Sequence, residues 1–175
     1  MSVDTITTTA QYLTFNLREE VFALEISKVR EVLEYTTVTK VPRTPDFMSG
    51  VINLRGNVVP VIDLNLKLGM PQTEKTIDTC IIIVEISVQG ETVVLGALAD
   101  SVQEVIDMEP ESIEPAPKIG TSLDIEFLKG MGKKEDQFMM ILDIDKVFST
   151  EDIAAVSGGT DNRKQEEHPV SEEKE

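Results

Sequence analysis

Apolar side chains alternate with polar ones at Leu13, Phe15 and Leu17, and again at Phe22, Leu24 and Ile26 after the polar break Arg18-Glu19-Glu20. A period of two marks half-buried strands. Two apolar runs, Val51 to Leu54 and Val58 to Ile62, flank Arg55-Gly56-Asn57 and predict a hairpin. Cys80 to Val84 and Val93 to Ala99 flank Gln89-Gly90 and predict a second. Phe138 to Ile144 reads as a further strand. Helix signals are short. Thr44-Pro45-Asp46 spells an N-cap with Pro at the first helical position, and Leu64 to Leu68 allows one more turn. Many short strands with little helix predict an all-β chain of small barrels or a sandwich.

An internal repeat refines this picture. Phe47-Met48-Ser49-Gly50-Val51 aligns with Phe127-Leu128-Lys129-Gly130-Met131, and Ile62-Asp63-Leu64 aligns with Leu142-Asp143-Ile144, both at an offset of 80. Val29-Arg30-Glu31-Val32 aligns with Val102-Gln103-Glu104-Val105 at an offset of 73, which Phe22 to Leu95 and Leu24 to Ala97 keep. The extra residues fall between Asp107 and Ser122, a stretch rich in Pro, Glu and Ser that reads as a loop. Two related β units are expected, residues 11–72 and 73–150, joined by the polar linker Met70 to Asp78, with an N-terminal strand that both units could share.

The chain has 175 residues, room for one domain or two small ones. It carries 16 Lys and Arg against 32 Asp and Glu, a formal net charge of -16. That argues against nucleic acid or an anionic membrane as a partner. One Cys excludes an intrachain disulfide, and one His with one Cys excludes any zinc site built from several of them. The first ten residues hold an Asp and no basic residue, so no secretory signal is read there. No apolar run approaches the ~20 residues a spanning helix needs, and a soluble cytoplasmic protein is expected. From Ser157 the text SGGTDNRKQEEHPVSEEKE has little to bury; residues 157–175, including His168, are expected to be a disordered acidic tail.

Candidate chemistry is sparse. Cys80 lies in an apolar run, where a thiol is buried and inert. Asp63, Asp143 and Asp145 invite a metal or phospho-acceptor reading, and with it an enzyme regulator or phosphatase. Phospho-acceptor sites need a parallel α/β sheet, and the repeat equates Asp63 with Asp143, which suits helix caps or turn formers better. Arg55 could pair with a carboxylate such as Glu31, or face a partner; spacing leaves both open. Lys28 to Leu33 reads as a half-buried strand or a partner-binding edge. No glycine-rich nucleotide loop is present, and Ser49, Ser101 and Ser122 have no His within the strand-rich region. No catalytic apparatus is visible, so binding is the function left.

Further motifs carry a family resemblance. They are Phe22-Ala23-Leu24-Glu25-Ile26, Phe47-Met48-Ser49-Gly50-Val51-Ile52-Asn53-Leu54-Arg55-Gly56, Val59-Pro60-Val61-Ile62-Asp63-Leu64, Ala99-Asp100-Ser101-Val102 and Leu142-Asp143-Ile144-Asp145-Lys146. Over about residues 11 to 150 the chain resembles the bacterial chemotaxis coupling proteins of the CheW family. The resemblance implies two SH3-like five-stranded β-barrels and a non-enzymatic adaptor, without cofactor or metal. It implies two partners, the regulatory domain of the histidine kinase CheA and the cytoplasmic tips of methyl-accepting chemoreceptors. Leu13, Ile26, Val29 and Val102 match positions lining a receptor groove. Glu31, Gly50 and Arg55 match positions on which coupling depends. Pro42, Phe47, Gly50 and Val51 are the expected kinase contact. An isolated monomer is expected, recruited from the cytoplasm to membrane-associated arrays by its partners. The same adaptor fold in another receptor-controlled kinase pathway, such as twitching motility, is the alternative. Ala99 departs from the family's usual valine, which is expected to trim apolar surface near Val102.

Overall fold

The computed structural model describes residues 9–115, 127–149 and 151–156. The expected tail, with His168, and the end of the Pro-rich loop lie outside the described residues. Among the described residues, eleven strands run in order: β1 Ala10–Leu17, β2 Glu20–Glu25, β3 Val29–Glu34, β4 Met48–Leu54, β5 Asn57–Asp63, β6 Cys80–Val88, β7 Glu91–Ala99, β8 Ser101–Met108, β9 Ile113–Glu114, β10 Leu128–Lys134 and β11 Gln137–Leu142. Two short helices, α1 Leu64–Lys67 and α2 Ile144–Val147, follow β5 and β11. Residues 151–156 form a last helical turn.

The strands build two sheets, ordered β8-β1-β2-β11-β10-β9 and β3-β6-β7-β5-β4. The five-stranded expectation holds for one; the other gains the two-residue β9. Each sheet takes a hairpin from the other half of the chain. β2 lies parallel to β11 with Ile141 opposite Ala23, and β5 lies parallel to β7 with Val61 opposite Gly96. The boundary expected near residue 72 therefore separates no two self-contained sheets. Strand periodicity locates strands but says nothing about which distant strand each one pairs with.

The repeat is written in these ladders. The pairs Ile141–Ala23 and Val61–Gly96 are related by the offsets of 80 and 73. Leu13 faces Val105 as Ile82 faces Val32. Register shifts recur at Met48/Gly50 and Leu128/Gly130. The Asp63 N–H donates to the Phe47 carbonyl at 2.7 Å, and the Asp143 N–H to that of Phe127 at 2.8 Å.

A shared core joins the sheets. Leu13, Phe15, Leu17, Phe22 and Leu24 from one meet Ile62, Ile82, Val84, Ile86 and Leu95 from the other. The opposite faces are buried too, in a cluster around Tyr12, Ile106 and Ile141 and another around Ile52, Ile81 and Ile83. Burial on both faces explains why β6 reads as a continuous apolar run rather than an alternation. Phe148, Ile153 and Val156 close one end of the shared core.

Local chemistry sets the turns. Arg55 and Gly56 have φ of 52° and 88°, and Leu54 pairs with Asn57, so the loop is two residues long. Two positive φ values match the right-handed strand twist. Gln89 and Gly90 repeat this at 51° and 82°. Thr44-Pro45-Asp46 is a turn rather than a helix start: Thr44 Oγ1 donates to the Val41 carbonyl at 2.8 Å, and the Met48 N–H to that of Pro45 at 3.0 Å. Strand pairing already begins at Met48, leaving no length for a helix. The strand expected to reach Ile144 stops at Leu142, because Asp143 starts α2.

Lys67, on α1, ties the repeats together. Its ammonium lies 5.3 Å from the Phe47 ring centroid, 5.2 Å from that of Phe127 and 3.2 Å from Asp152 Oδ2. Ser149 and Asp152 exchange backbone-to-side-chain hydrogen bonds of 2.9 and 3.0 Å, capping the last helical turn. Burial raises the Asp152 pKa, but the Ser149 N–H and the Lys67 ammonium outweigh it and hold the carboxyl below its usual value. A depressed carboxylate contributes stability that is present above its unfolded pKa and lost as pH falls through the folded one. Asp152→Asn is expected to flatten the acid limb of a melting-temperature profile, measured from about pH 7 to about pH 2.5. An acid limb unchanged in the variant would contradict the assignment.

Candidate functional site

Val29 opposes Val84 and Val32 opposes Ile82, so both valines share the face of the common core. A register shift between Val29 and Glu31 keeps them on one face despite their odd spacing. Val102 opposite Phe15 and Val105 opposite Leu13 repeat the arrangement in the other sheet. β3 and β8 are edge strands. The shared core therefore reaches the surface along two equivalent apolar edges.

Ile26, Val29 and Val102 are half-buried and pack on that core. Leu13 is only 4% exposed and supports the edge from beneath without presenting surface. Val32 at 40% and Val105 at 48% are more exposed than any of them. Neither is among the expected groove residues, although Val32 lies in the Lys28 to Leu33 stretch read as a possible partner-binding edge and both close the repeated V-x-E-V motif. Val58 and Phe138, another pair related by the offset of 80, are exposed at 49% and 53%.

Arg55 Nη2 pairs with Glu31 Oε2, linking the β4–β5 turn to β3. The Asn53 side chain accepts the Gly56 N–H at 2.8 Å and stiffens the turn. The Arg55 side chain remains 70% exposed, so the pair is solvated and adds under about 1 kcal/mol. Arg55→Ala is expected to lower the melting temperature by at most about 4 °C in a thermal melt. A drop of about 10 °C or more, roughly two and a half times that allowance, would make Arg55 a structural brace.

The residues expected to meet the kinase separate into two kinds. Pro42 is exposed and Phe47 half-buried beside Lys67, whereas Gly50 and Val51 are buried. Val51 exchanges backbone hydrogen bonds of 2.9 and 2.8 Å with Thr39, so Gly50 and Val51 shape the strand beneath this surface.

Other candidates lose their chemistry. Asp63, 1% exposed, accepts from the Asn65, Leu66 and Thr73 N–H groups and from Thr73 Oγ1 at 2.7 Å. It caps α1 and ties down the linker, which explains its place at the strand end. Asp145 accepts from Lys28 and the Ser87 N–H. Among the described residues, no three His, Cys, Asp or Glu side chains gather as metal ligands. Cys80 is half-buried rather than fully buried, and burial pushes its thiol pKa up, disfavouring the reactive thiolate. Ala99 lies fully buried in the shared core, so the departure from valine acts inside the protein and trims no surface.

Among the described residues, no helix is long and apolar enough to cross a membrane. The model of the CheW-like domain matches residues 11–152. The chain is 36% identical over 146 residues to a chemotaxis protein CheW of Klebsiella aerogenes, covering 83% of this chain and 86% of that one. It is 33% identical to a probable chemotaxis protein CheW of Rhizobium etli, covering 83% and 92%. Among solved structures, the scaffolding protein TtCheW from Thermoanaerobacter tengcongensis superposes with a TM-score of 0.72 at 38% identity, covering 82% of this chain and 94% of that one.

Proposed function

Because the chain belongs to the CheW-like domain family, whose members are chemotaxis adaptors and not enzymes, we propose that it couples chemoreceptor tips to a CheA-type histidine kinase. The reading rests above all on one observation. The shared core emerges along two repeat-related edges, Ile26-Val29-Val32 and Val102-Val105, in a protein that otherwise carries a charge of -16. Apolar surface rimmed by charge suits the apolar stripe of a helical hairpin, docked in a helix-in-groove mode.

A separate surface around Pro42 and Phe47 serves the kinase. The adaptor then acts without chemistry. A receptor's two states reach the kinase only through a difference in how each binds this complex, because equal binding shifts nothing. The protein works in the cytoplasm and joins receptor arrays through these contacts.

Titration calorimetry of the full chain into the isolated regulatory domain of the host's chemotaxis-type kinase tests the proposal. Saturable one-to-one binding is expected. A folded sample that binds neither this domain nor that of any other receptor-controlled kinase of the host would overturn it.

A further inference from the structure

Two polar clusters stand at the starts of the two apolar edges. Asp145, the second residue of α2, accepts from the Lys28 ammonium at 2.8 Å and from the Ser87 N–H at 3.0 Å. Lys28 immediately precedes Val29. In the other repeat, Asn65 is the second residue of α1, equivalent to Asp145 at the offset of 80. Its amide donates to Asp100 Oδ1 at 3.3 Å, and Asp100 Oδ2 accepts the Arg18 N–H from the β1–β2 turn. Asp100 lies two residues before Val102.

The layout is the same although the chemistry differs. Each cluster joins a helix start to a hairpin end and to the residues that launch an edge strand. In one repeat the carboxylate sits on the helix and a cation on the launching turn. In the other the carboxylate sits on the launching turn and an amide on the helix. The Asn65 amide hydrogens are both used, on Asp100 and on Thr73 Oγ1, so its orientation is fixed. Thr73 Oγ1 passes the chain on to Asp63 at 2.7 Å.

We infer that Asp100 and Asp145 are positioning residues, each locking one apolar edge, Val102 or Val29, in the geometry that receives the receptor. The inference rests on the receptor groove proposed above. Neither carboxylate need touch the receptor. Each fixes where its edge strand leaves the turn, and packing complementarity at a helix-in-groove contact depends on that placement.

The test uses the full chain, a soluble helical-hairpin fragment of a host chemoreceptor and the kinase regulatory domain. Asp145→Ala removes both acceptors; Asp145→Asn keeps one for the Ser87 N–H. Receptor affinity is expected to fall about two- to tenfold in Asp145→Ala, the range for one lost hydrogen-bonded group, and to recover in part in Asp145→Asn. Kinase-domain affinity should stay unchanged. Asp100→Ala should behave likewise, and Asp145, on the more solvated cluster, keeps the test open if that variant fails to fold.

Equal losses of receptor and kinase affinity would reduce the locks to general structure and overturn the inference. So would normal receptor binding by Asp145→Ala while Val29→Asp binds poorly. Normal receptor binding by Val29→Asp would instead remove the groove itself, and the inference with it.

Discussion

Gly50→Ala is expected to lower the melting temperature by roughly 10–15 °C. Gly50 has a φ of 147°, which L side chains rarely adopt. An added Cβ would press into the Thr39 carbonyl and the Val38 side chain. Retreat is blocked, because Thr39 and Val51 hold each other through two backbone hydrogen bonds. Backbone strain of about 1–3 kcal/mol and a similar overpacking cost of about 1–3 kcal/mol combine to about 2–6 kcal/mol, and the mid-range of about 4 kcal/mol sets the temperature range. Gly56→Ala is the control, since its Cβ would meet nothing within 4 Å. It should cost about 1 kcal/mol through its positive φ alone. Equal losses in thermal melts of the two variants would show that the Thr39–Val51 contact gives way.

Val29→Asp with Val102→Asp is expected to abolish measurable receptor binding while leaving kinase-domain binding intact. The two valines are half-buried on edge strands of different sheets, so their effects should add. An unpaired charge on such a site costs at least the about 1–3 kcal/mol of an unpaired polar group, roughly 5- to 150-fold each. Together they should cost at least about 25-fold, and about 800-fold at mid-range. Circular dichroism establishes that the variant is folded, and calorimetry with a receptor hairpin fragment reads the effect. Normal receptor affinity in the folded double variant would move the groove elsewhere.

The strands were legible in the sequence because their causes are local. Leu13, Phe15 and Leu17 alternate because one face of β1 meets the shared core, and Arg55-Gly56-Asn57 marks a turn because a polar break holding a glycine, which takes positive φ freely, interrupts two apolar runs. The repeat was legible because equivalent ladders impose equivalent side chains, down to Asp63 and Asp143 at the same strand ends. Sheet membership was not legible. The β1–β2 and β6–β7 hairpins are exchanged through the parallel pairs β2–β11 and β5–β7, contacts between residues far apart in sequence. Helix signals misled at Thr44-Pro45-Asp46, where the need to begin β4 at Met48 outweighs an N-terminal motif. Val32 and Val105 are absent from the expected groove residues for a related reason. Their sequence marks them as strand residues, and only the edge positions of β3 and β8 leave them open to solvent.

Burial also sorts residues that a resemblance groups together. Leu13, Gly50 and Val51 belong with partner-facing positions by motif, yet they lie beneath the surface, while Ile26, Val29, Val102 and Pro42 reach it. Substitutions at the first set are expected to act through the fold, and at the second through contact.

One small protein is proposed to hold a receptor and a kinase at once on separate surfaces. The most direct measurement is analytical ultracentrifugation of the full chain with a receptor hairpin fragment and the kinase regulatory domain, alone and together. A ternary complex is predicted, in which saturating receptor fragment leaves the kinase domain bound. Displacement of either partner by the other, in a folded sample that binds each alone, would contradict the account.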